Sequence, residues 1–439
     1  MVASPCCFEW NLAQLACTAM PRHRPTPCCR ALAITIAAVV SLAGCGDDGR
    51  NTQSASGSVA TGPATVASTT TAKAAPPASP GSPTTTTMPF TFPGRQPLAG
   101  MPANTDPKNI YANAVSGLSD AVKHAKNLVY VPHNESADVW VIDPTTFKVI
   151  DKYPTGAIAQ HVVPSYDLKT LWVNNNAGNT LTPIDPTTGK PGKNIPVEAP
   201  YNLYYTPDGK FMMVMEERNA TITFRDPNTA LLDIVQKVKV PCRGVNHADF
   251  SPDGTYFIAT CEFSGQLIKF DLVTMQVVGT LNLEANASQP QDIRLVPDGS
   301  RFLVADMAAN GLWEIDGESF KVLGFIETDA GPHGIYPSRD ATQMYISNRV
   351  GGSISVYDVA THKIVRTWKI PGGGSPDMGG VSADGKVFWV SGRNDNVVYA
   401  IDVVNWKLLA KIPVGKGPHG LAVYPQPGRY SLGHTGNYR

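Results

Sequence analysis

Seven segments of this chain end alike: VWVIDPTT, TPIDPTT, TFRDPNT, IKFDLVT, WEIDGES, SVYDVAT and YAIDVVN. Their aspartates, Asp143, Asp185, Asp226, Asp271, Asp316, Asp358 and Asp402, stand 42, 41, 45, 45, 42 and 44 residues apart. That period is the size of a four-stranded propeller blade. One blade cannot bury both of its faces, so seven predict a closed ring with a shared core. A length of 439 residues also fits a repeat array better than one ordinary core.

The fourth repeat reads VNHADFSPDG, TYFIATCEFSG, QLIKFDLVT, MQVVGTLNL. A first strand around His247 to Phe250 should end in the turn Ser251-Pro252-Asp253-Gly254, because Pro and Gly favour turn geometry. Tyr256 to Cys261, Gln266 to Asp271 and Gln276 to Leu283 follow as strands two to four. No segment keeps a helical period, so the fold class is all-β. Closure is open to two solutions. After the seventh repeat, GPHGLAVYPQPGRYSLGHTGNYR starts another and stops after about two strands, and upstream TDPKNIYANAV reads as the tail of a repeat. Seven blades with an exchanged strand are expected; eight, with one blade split between the termini, are the alternative.

The start of the chain reads as an export signal. Arg22, Arg24 and Arg30 precede the apolar run Ala31 to Leu42, which is too short to span a membrane stably. It ends in Leu42-Ala43-Gly44-Cys45, which resembles the bacterial lipobox, where the Cys is lipidated. Residues 1–45 are therefore expected to be a signal peptide with lipidation at Cys45, and 1–19 an extension upstream of a start at Met20. Residues 46–105 are rich in Thr, Ser, Pro and Ala and should form a disordered stalk. The propeller would occupy 106–439. The expected location is the outer face of the bacterial cytoplasmic membrane, reached through the lipid alone. After Cys45 only Cys242 and Cys261 remain. In an oxidising compartment such a pair predicts a disulfide.

Charge excludes one partner class. Acidic and basic side chains balance at 36 each and make up 16% of the chain, so there is no basic footprint for nucleic acid. The chain is expected to act as a monomer.

The segments GPHGLAVYP, SADGKVFWV, NVVYAID and KLLAKIPVG resemble the YVTN-type repeats of YncE-like proteins and of the haem d1 domain of cytochrome cd1. The resemblance covers about Gly117 to Arg439. It departs in the first repeat, which lacks the PDG turn (AVKHAKNLVYV), and in the sixth, which has PSRDATQ there. It implies the propeller fold; activity does not follow from fold.

His161, His247, His333 and His419 fall 86 residues apart, two blades each time. They enter first strands and are expected at one height around the axis, with Asn202, Asp292 and Met378 between them. These seven form the candidate ligand-binding face, and the four histidines are the candidate metal ligands. On a wide ring, alternate-blade histidines would stand too far apart to share one ion. The ends of the second strands, read as His133, Asn174, Glu216, Glu262, Asp306, Asn348, Arg393 and His434, should project near the same face.

No HExxH, CxxCH or GxSxG occurs. Gly415-Lys-Gly-Pro-His-Gly420 matches a dinucleotide fingerprint by letters but lies between strands. Gly372 to Gly380 (GGGSPDMGG) reads as a flexible loop, and Met212, Met213 and Met215 as core. The leading expectation is a binding scaffold for an envelope protein or small ligand, with no cofactor required. The rival is a metal- or haem-binding propeller or enzyme, by resemblance to the haem d1 domain, or a lactonase-like hydrolase.

Overall fold

The computed structural model describes residues 96–439 except 107, 116, 284–286 and 435. The signal peptide, Cys45 and most of the stalk lie outside the described residues. Seven antiparallel sheets form the ring. Blade four is typical: Val245–Phe250, Tyr256–Cys261, Gln266–Asp271 and Gln276–Asn282 pair in that order. Its two inner strands are buried at every position, while the outermost alternates between exposed and half-buried. Inner strands are sandwiched between neighbouring blades; the outermost has water on one side.

The repeated aspartates are turn devices. Each carboxylate accepts a backbone N–H two or three residues on, as at Thr145 to Asp143 (2.9 Å), Asn228 to Asp226 (2.9 Å) and Asn405 to Asp402 (2.9 Å). This closes the hairpin from the third strand to the fourth. The other turn is locked by a hydroxyl donating to an aspartate two residues later: Ser165 to Asp167, Ser251 to Asp253 and Ser382 to Asp384, each at 2.6 Å. Ser338 and Asp340 make the same 2.6 Å bond in the sixth repeat. PSRDATQ therefore keeps the lock although it loses the PDG spelling. In blade two the fourth strand is broken into Lys190–Pro191 and Ile195–Pro196, because proline has no N–H for a ladder.

The ring has seven blades. Ala422–Tyr424 enters blade one as its innermost strand, with Leu128 opposite Tyr424 and Tyr130 opposite Ala422. No further strand follows among the described residues. The chain instead turns into a hairpin, with Ser431 bridging Tyr438 and Leu432 N–H donating to Asn437 O (2.9 Å). This hairpin enters the central channel. Tyr205 N–H donates to Leu432 O (3.0 Å), His434 N–H to Leu203 O (3.1 Å), and Tyr430 stacks on Tyr166 at 5.0 Å. Gly433 makes the approach possible: a Cβ there would lie 2.3 Å from Leu203 O.

The segment TDPKNIYANAV is not a repeat tail. Asn109 Oδ1 accepts the Tyr111 N–H (3.0 Å) and starts a helical turn, Ala112–Val115. Tyr111 is buried, its hydroxyl donating to Leu295 O (3.0 Å), and the Arg439 guanidinium sits 4.6 Å from its ring centre. Leu98 N–H donates to Asp253 O (2.9 Å) and Asn104 Nδ2 to Pro252 O (3.1 Å), so residues 98–104 of the expected stalk lie on the blade-four turn. Residues 98–111 and 430–439 thus lie at the end of the channel that carries the turns between first and second strands. Cys242, before the first strand of blade four, and Cys261, ending its second strand, are joined by a disulfide.

Candidate functional site

The end of the channel where the first strands begin is shaped by a recurrent bulge. Pairing skips between Ala159 and Val162, Val245 and Ala248, Pro290 and Ile293, Pro332 and Ile335, and Pro376 and Gly379. At each skip two inner-strand residues face one on the second strand, so both can be aimed toward the axis. In three blades the facing residue is Ser or Thr, whose hydroxyl accepts the stranded N–H: His247 to Thr260 (3.3 Å), Gly334 to Ser347 (2.9 Å) and Met378 to Ser391 (3.2 Å).

The bulge creates two strand positions, and the four repeat histidines divide between them. The first holds Gln160, Asn246, Gln291, His333 and Asp377, and in blade one His419, which follows the Pro418–His133 bridge. The second holds His161, His247, Asp292, Gly334 and Met378, with Gly420 in blade one. The constant spacing of 86 residues therefore does not mean equivalent positions: His333 and His419 lie one residue earlier than His161 and His247. Nor is the ring wide. Ring centroids are 4.8 Å apart for His161–His419, 5.5 Å for His161–His247, 5.6 Å for His333–His419 and 6.2 Å for His247–His333. Gly420 permits the shortest of these, since a Cβ there would lie 2.0 Å from His161 Nδ1.

The first position is built around Asp377, which is fully buried. His419 Nδ1 lies 2.6 Å from its Oδ2 and His333 Nδ1 3.3 Å from its Oδ1. Arg349 clasps Oδ1 through Nε (2.8 Å) and Nη2, and Arg393 Nη1 lies 3.5 Å from Oδ2. His333 Nδ1 is also 2.9 Å from the Met378 sulfur, but a carboxylate is the stronger acceptor. His419 Nε2 faces the Tyr201 hydroxyl at 3.4 Å.

The second position is not satisfied in this way. His161 is fully buried, and neither ring nitrogen has a hydrogen-bond partner. His247 Nδ1 meets Asn246 Oδ1 at 3.1 Å, leaving Nε2 without a partner. His434, at the hairpin tip, comes between them: its ring is 5.3 Å from His161 and 5.0 Å from His247. Its Nδ1 is 3.1 Å from Asn202 Nδ2, and its Nε2 is 3.5 Å from Asp292 Oδ1. Asp292 also joins two blades, accepting Ile293 N–H and Ile335 N–H at 2.9 Å each. Ligand atoms of His247, Asp292 and His434 all lie within 4.8 Å of one another.

Burial sets the protonation. It holds His161 and His247 well below the ordinary histidine range, and the neighbouring imidazoles push the same way. Burial likewise takes His419 down to about 4, against the pull of Asp377. The imidazoles are thus neutral at pH 7. Burial would raise Asp292 and Asp377, but the guanidiniums of Arg294 and Arg349 hold them below the usual carboxylate range.

The seven residues read from the sequence, His161, Asn202, His247, Asp292, His333, Met378 and His419, all enter this cluster. Of the expected second-strand ends, Arg393 reaches Asp377, while His133 is occupied elsewhere, with Nδ1 2.8 Å from Asp138 and Nε2 accepting Gly415 N–H at 3.1 Å. His434 belongs to the hairpin and not to a second strand. Sequence reasoning missed Asp377, Tyr201 and Arg349. The visible signal was Asp377 beside Met378; its meaning depends on a bulge that only the backbone reveals.

Comparison with known proteins agrees with this architecture. Residues 107–428 match the YNCE-like beta-propeller family. The uncharacterized protein YncE of Salmonella typhi is 23% identical over 288 residues, which is 58% of this chain and 74% of that protein. Among solved structures, dihydro-heme d1 dehydrogenase NirN in complex with DHE shares the fold with a TM-score of 0.52 at 16% identity, over 74% of this chain and 78% of that one. A Bacteroides uniformis protein named for 6-phosphogluconolactonase does so with a TM-score of 0.55 at 16% identity, over 67% of this chain and 99% of that one. With the seven blades, the exchanged strand and the family match together, the chain belongs to the YNCE-like beta-propeller family.

Proposed function

We propose that this chain is an exported binding propeller, tethered through a diacylated Cys45 to the outer face of the cytoplasmic membrane, with its ligand site in the histidine-bearing part of the channel. The single observation that carries the ligand site is His161: an imidazole buried at the axis with both nitrogens unpartnered. A buried polar atom left without a partner costs about 1–3 kcal/mol. A bound ligand would remove that cost. The tether rests on the basic region, the apolar run and Leu42-Ala43-Gly44-Cys45; one diacylglyceryl group carries two chains, enough for stable anchoring.

Binding is favoured over catalysis because the groups that could act as acid or base at the first position, Asp377, His333 and His419, are engaged with one another and with two arginines. A tetrapyrrole would have to displace the C-terminal hairpin, which sits among these histidines. The likeness to NirN, solved in complex with DHE, therefore supports the ligand reading less than the unpartnered histidine does.

Native mass spectrometry of the protein extracted from membranes tests the ligand site. The parent should carry a non-covalent added mass that the double variant His161→Ala/His247→Ala lacks. An equal added mass on both, or a stoichiometric envelope protein retained by both, would place the function outside the channel. Cys45→Ser should release the protein or block its maturation; a normally processed, membrane-bound variant would contradict the tether.

A further inference from the structure

We infer that the second position of the channel is a metal centre, formed by His161, His247 and His434 with Asp292, which takes one divalent first-row transition ion of the zinc and copper class. This rests on the channel-binding reading above and names its ligand.

The spacing of the imidazoles is the first support. The three ring centroids form a triangle with sides of 5.5, 5.3 and 5.0 Å. A zinc–nitrogen bond of ~2.0–2.1 Å puts each ring centre roughly 3 Å from the ion, so tetrahedral neighbours have centres about 5 Å apart. The ligand atoms of His247, Asp292 and His434 already lie within 4.8 Å of one another, and His161 would join them by a turn of its ring.

The free atoms are the second support. Both nitrogens of His161 and Nε2 of His247 are buried without hydrogen-bond partners, and His434 Nε2 has only the 3.5 Å approach of Asp292 Oδ1. The outer partners fit as well. The contact of His247 Nδ1 with Asn246 Oδ1 fixes the tautomer that leaves Nε2 as ligand. Asn202 orients the His434 ring, its Nδ2 lying 3.1 Å from His434 Nδ1 while its Oδ1 accepts Leu203 N–H (2.9 Å). Asp292 is held rigid by two backbone donors and by Arg294, whose Nη2 lies 3.6 Å from Oδ2, and Oδ1, 3.5 Å from His434 Nε2, is the oxygen turned to the imidazoles. Three neutral imidazoles and one carboxylate suit zinc, copper or nickel; calcium and magnesium would require mainly oxygen ligands.

The source of the ligands is itself informative. Two histidines and the aspartate come from blades two, four and five, and the third histidine comes from the segment that follows ring closure. Metal binding would therefore pin the C-terminal hairpin in the channel.

Titration of chelator-stripped protein with Zn²⁺, and with Co²⁺ followed by its visible d–d absorption, tests the assignment. The folded parent should bind one equivalent, with Co²⁺ bands of four-coordinate intensity. His161→Ala and His434→Gln should each weaken binding at least about tenfold, while His362→Ala, on the outer part of blade six, should bind as the parent. Circular dichroism and melting must show the variants folded. One equivalent bound with unchanged affinity by both channel variants would overturn the inference, as would a folded parent that binds neither ion nor Cu²⁺. In the latter case the added mass in native spectrometry still decides the channel-binding reading on its own.

Discussion

His161 and His419 lie 4.8 Å apart between ring centres, and both are fully buried, yet they differ in what surrounds their nitrogens. His419 is anchored to a carboxylate that two arginines and a second histidine also hold. His161 is anchored to nothing. The first arrangement is a closed electrostatic network that needs no ligand. The second is a set of neutral donors gathered at the axis with a fixed carboxylate beside them. Proximity to the axis does not separate structure from function here; hydrogen-bond satisfaction does.

The comparison is broken most severely at Asp377. Removing it leaves Arg349 and Arg393 around a buried void, and losing one partner of a buried ion network costs about 3–5 kcal/mol. Urea denaturation of Asp377→Ala should show a loss of that size; a loss below about 1 kcal/mol would mean that the network is not structural.

The disulfide comes next. It closes a loop with a sequence separation of 19 in the blade that carries His247, and a loop of this length stabilises by about 3 kcal/mol in the chain-entropy account. Cys242→Ser/Cys261→Ser should fall in stability by that order in non-reducing buffer. Unchanged stability would show that the unfolded chain gains little freedom when the bridge is absent.

A smaller effect should come from Glu217, on the loop face of blade three. Burial and then the nearby Glu262 push its carboxyl up to about 8. The folded state therefore holds this proton more tightly than the unfolded chain, whose ordinary value is about 4.3. The resulting stabilisation is present below the unfolded value and is lost as pH rises toward 8. Glu217→Gln should match the parent near pH 4 and exceed it at pH 8 by on the order of 1–2 kcal/mol, allowing for residual exposure. Equal stability curves across that range would refute the shift.

The finest contrast is between two leucine substitutions in metal-free protein. His419→Leu removes a donor from Asp377 and should cost about 1–3 kcal/mol. His161→Leu removes two buried nitrogens that have no partner and should leave stability unchanged or raise it by up to about 1–3 kcal/mol. Equal costs would erase the distinction between the two positions.

Much of the fold was legible because turns are written in short-range chemistry. The aspartate ending each third strand and the Ser-x-Asp locks repeat at the blade period, so strand count and phase follow from residue types. The exchanged strand was legible too, since GPHGLAVYP repeats the start of a blade. What followed it was not. QPGRYSLGHTGNYR looks like more repeat, but Ser431 and Tyr438 pair with each other inside the channel, and a sequence period says nothing of where an unpaired tail packs. The candidate site was legible by residue type and illegible by height. His333 and His419 hold the same repeat letter as His161 and His247, and one extra residue in a bulge puts them in a different environment.

On the proposed assignment the second position, and not the Asp377 network, receives an ion. The most direct measurement is an anomalous difference map collected across the zinc edge, from crystals of the full propeller grown with one equivalent of Zn²⁺. One strong peak is expected, bounded by His161, His247, His434 and Asp292, with the Asp377 cluster unchanged. A peak beside Asp377, or only on the outer surface, would contradict it.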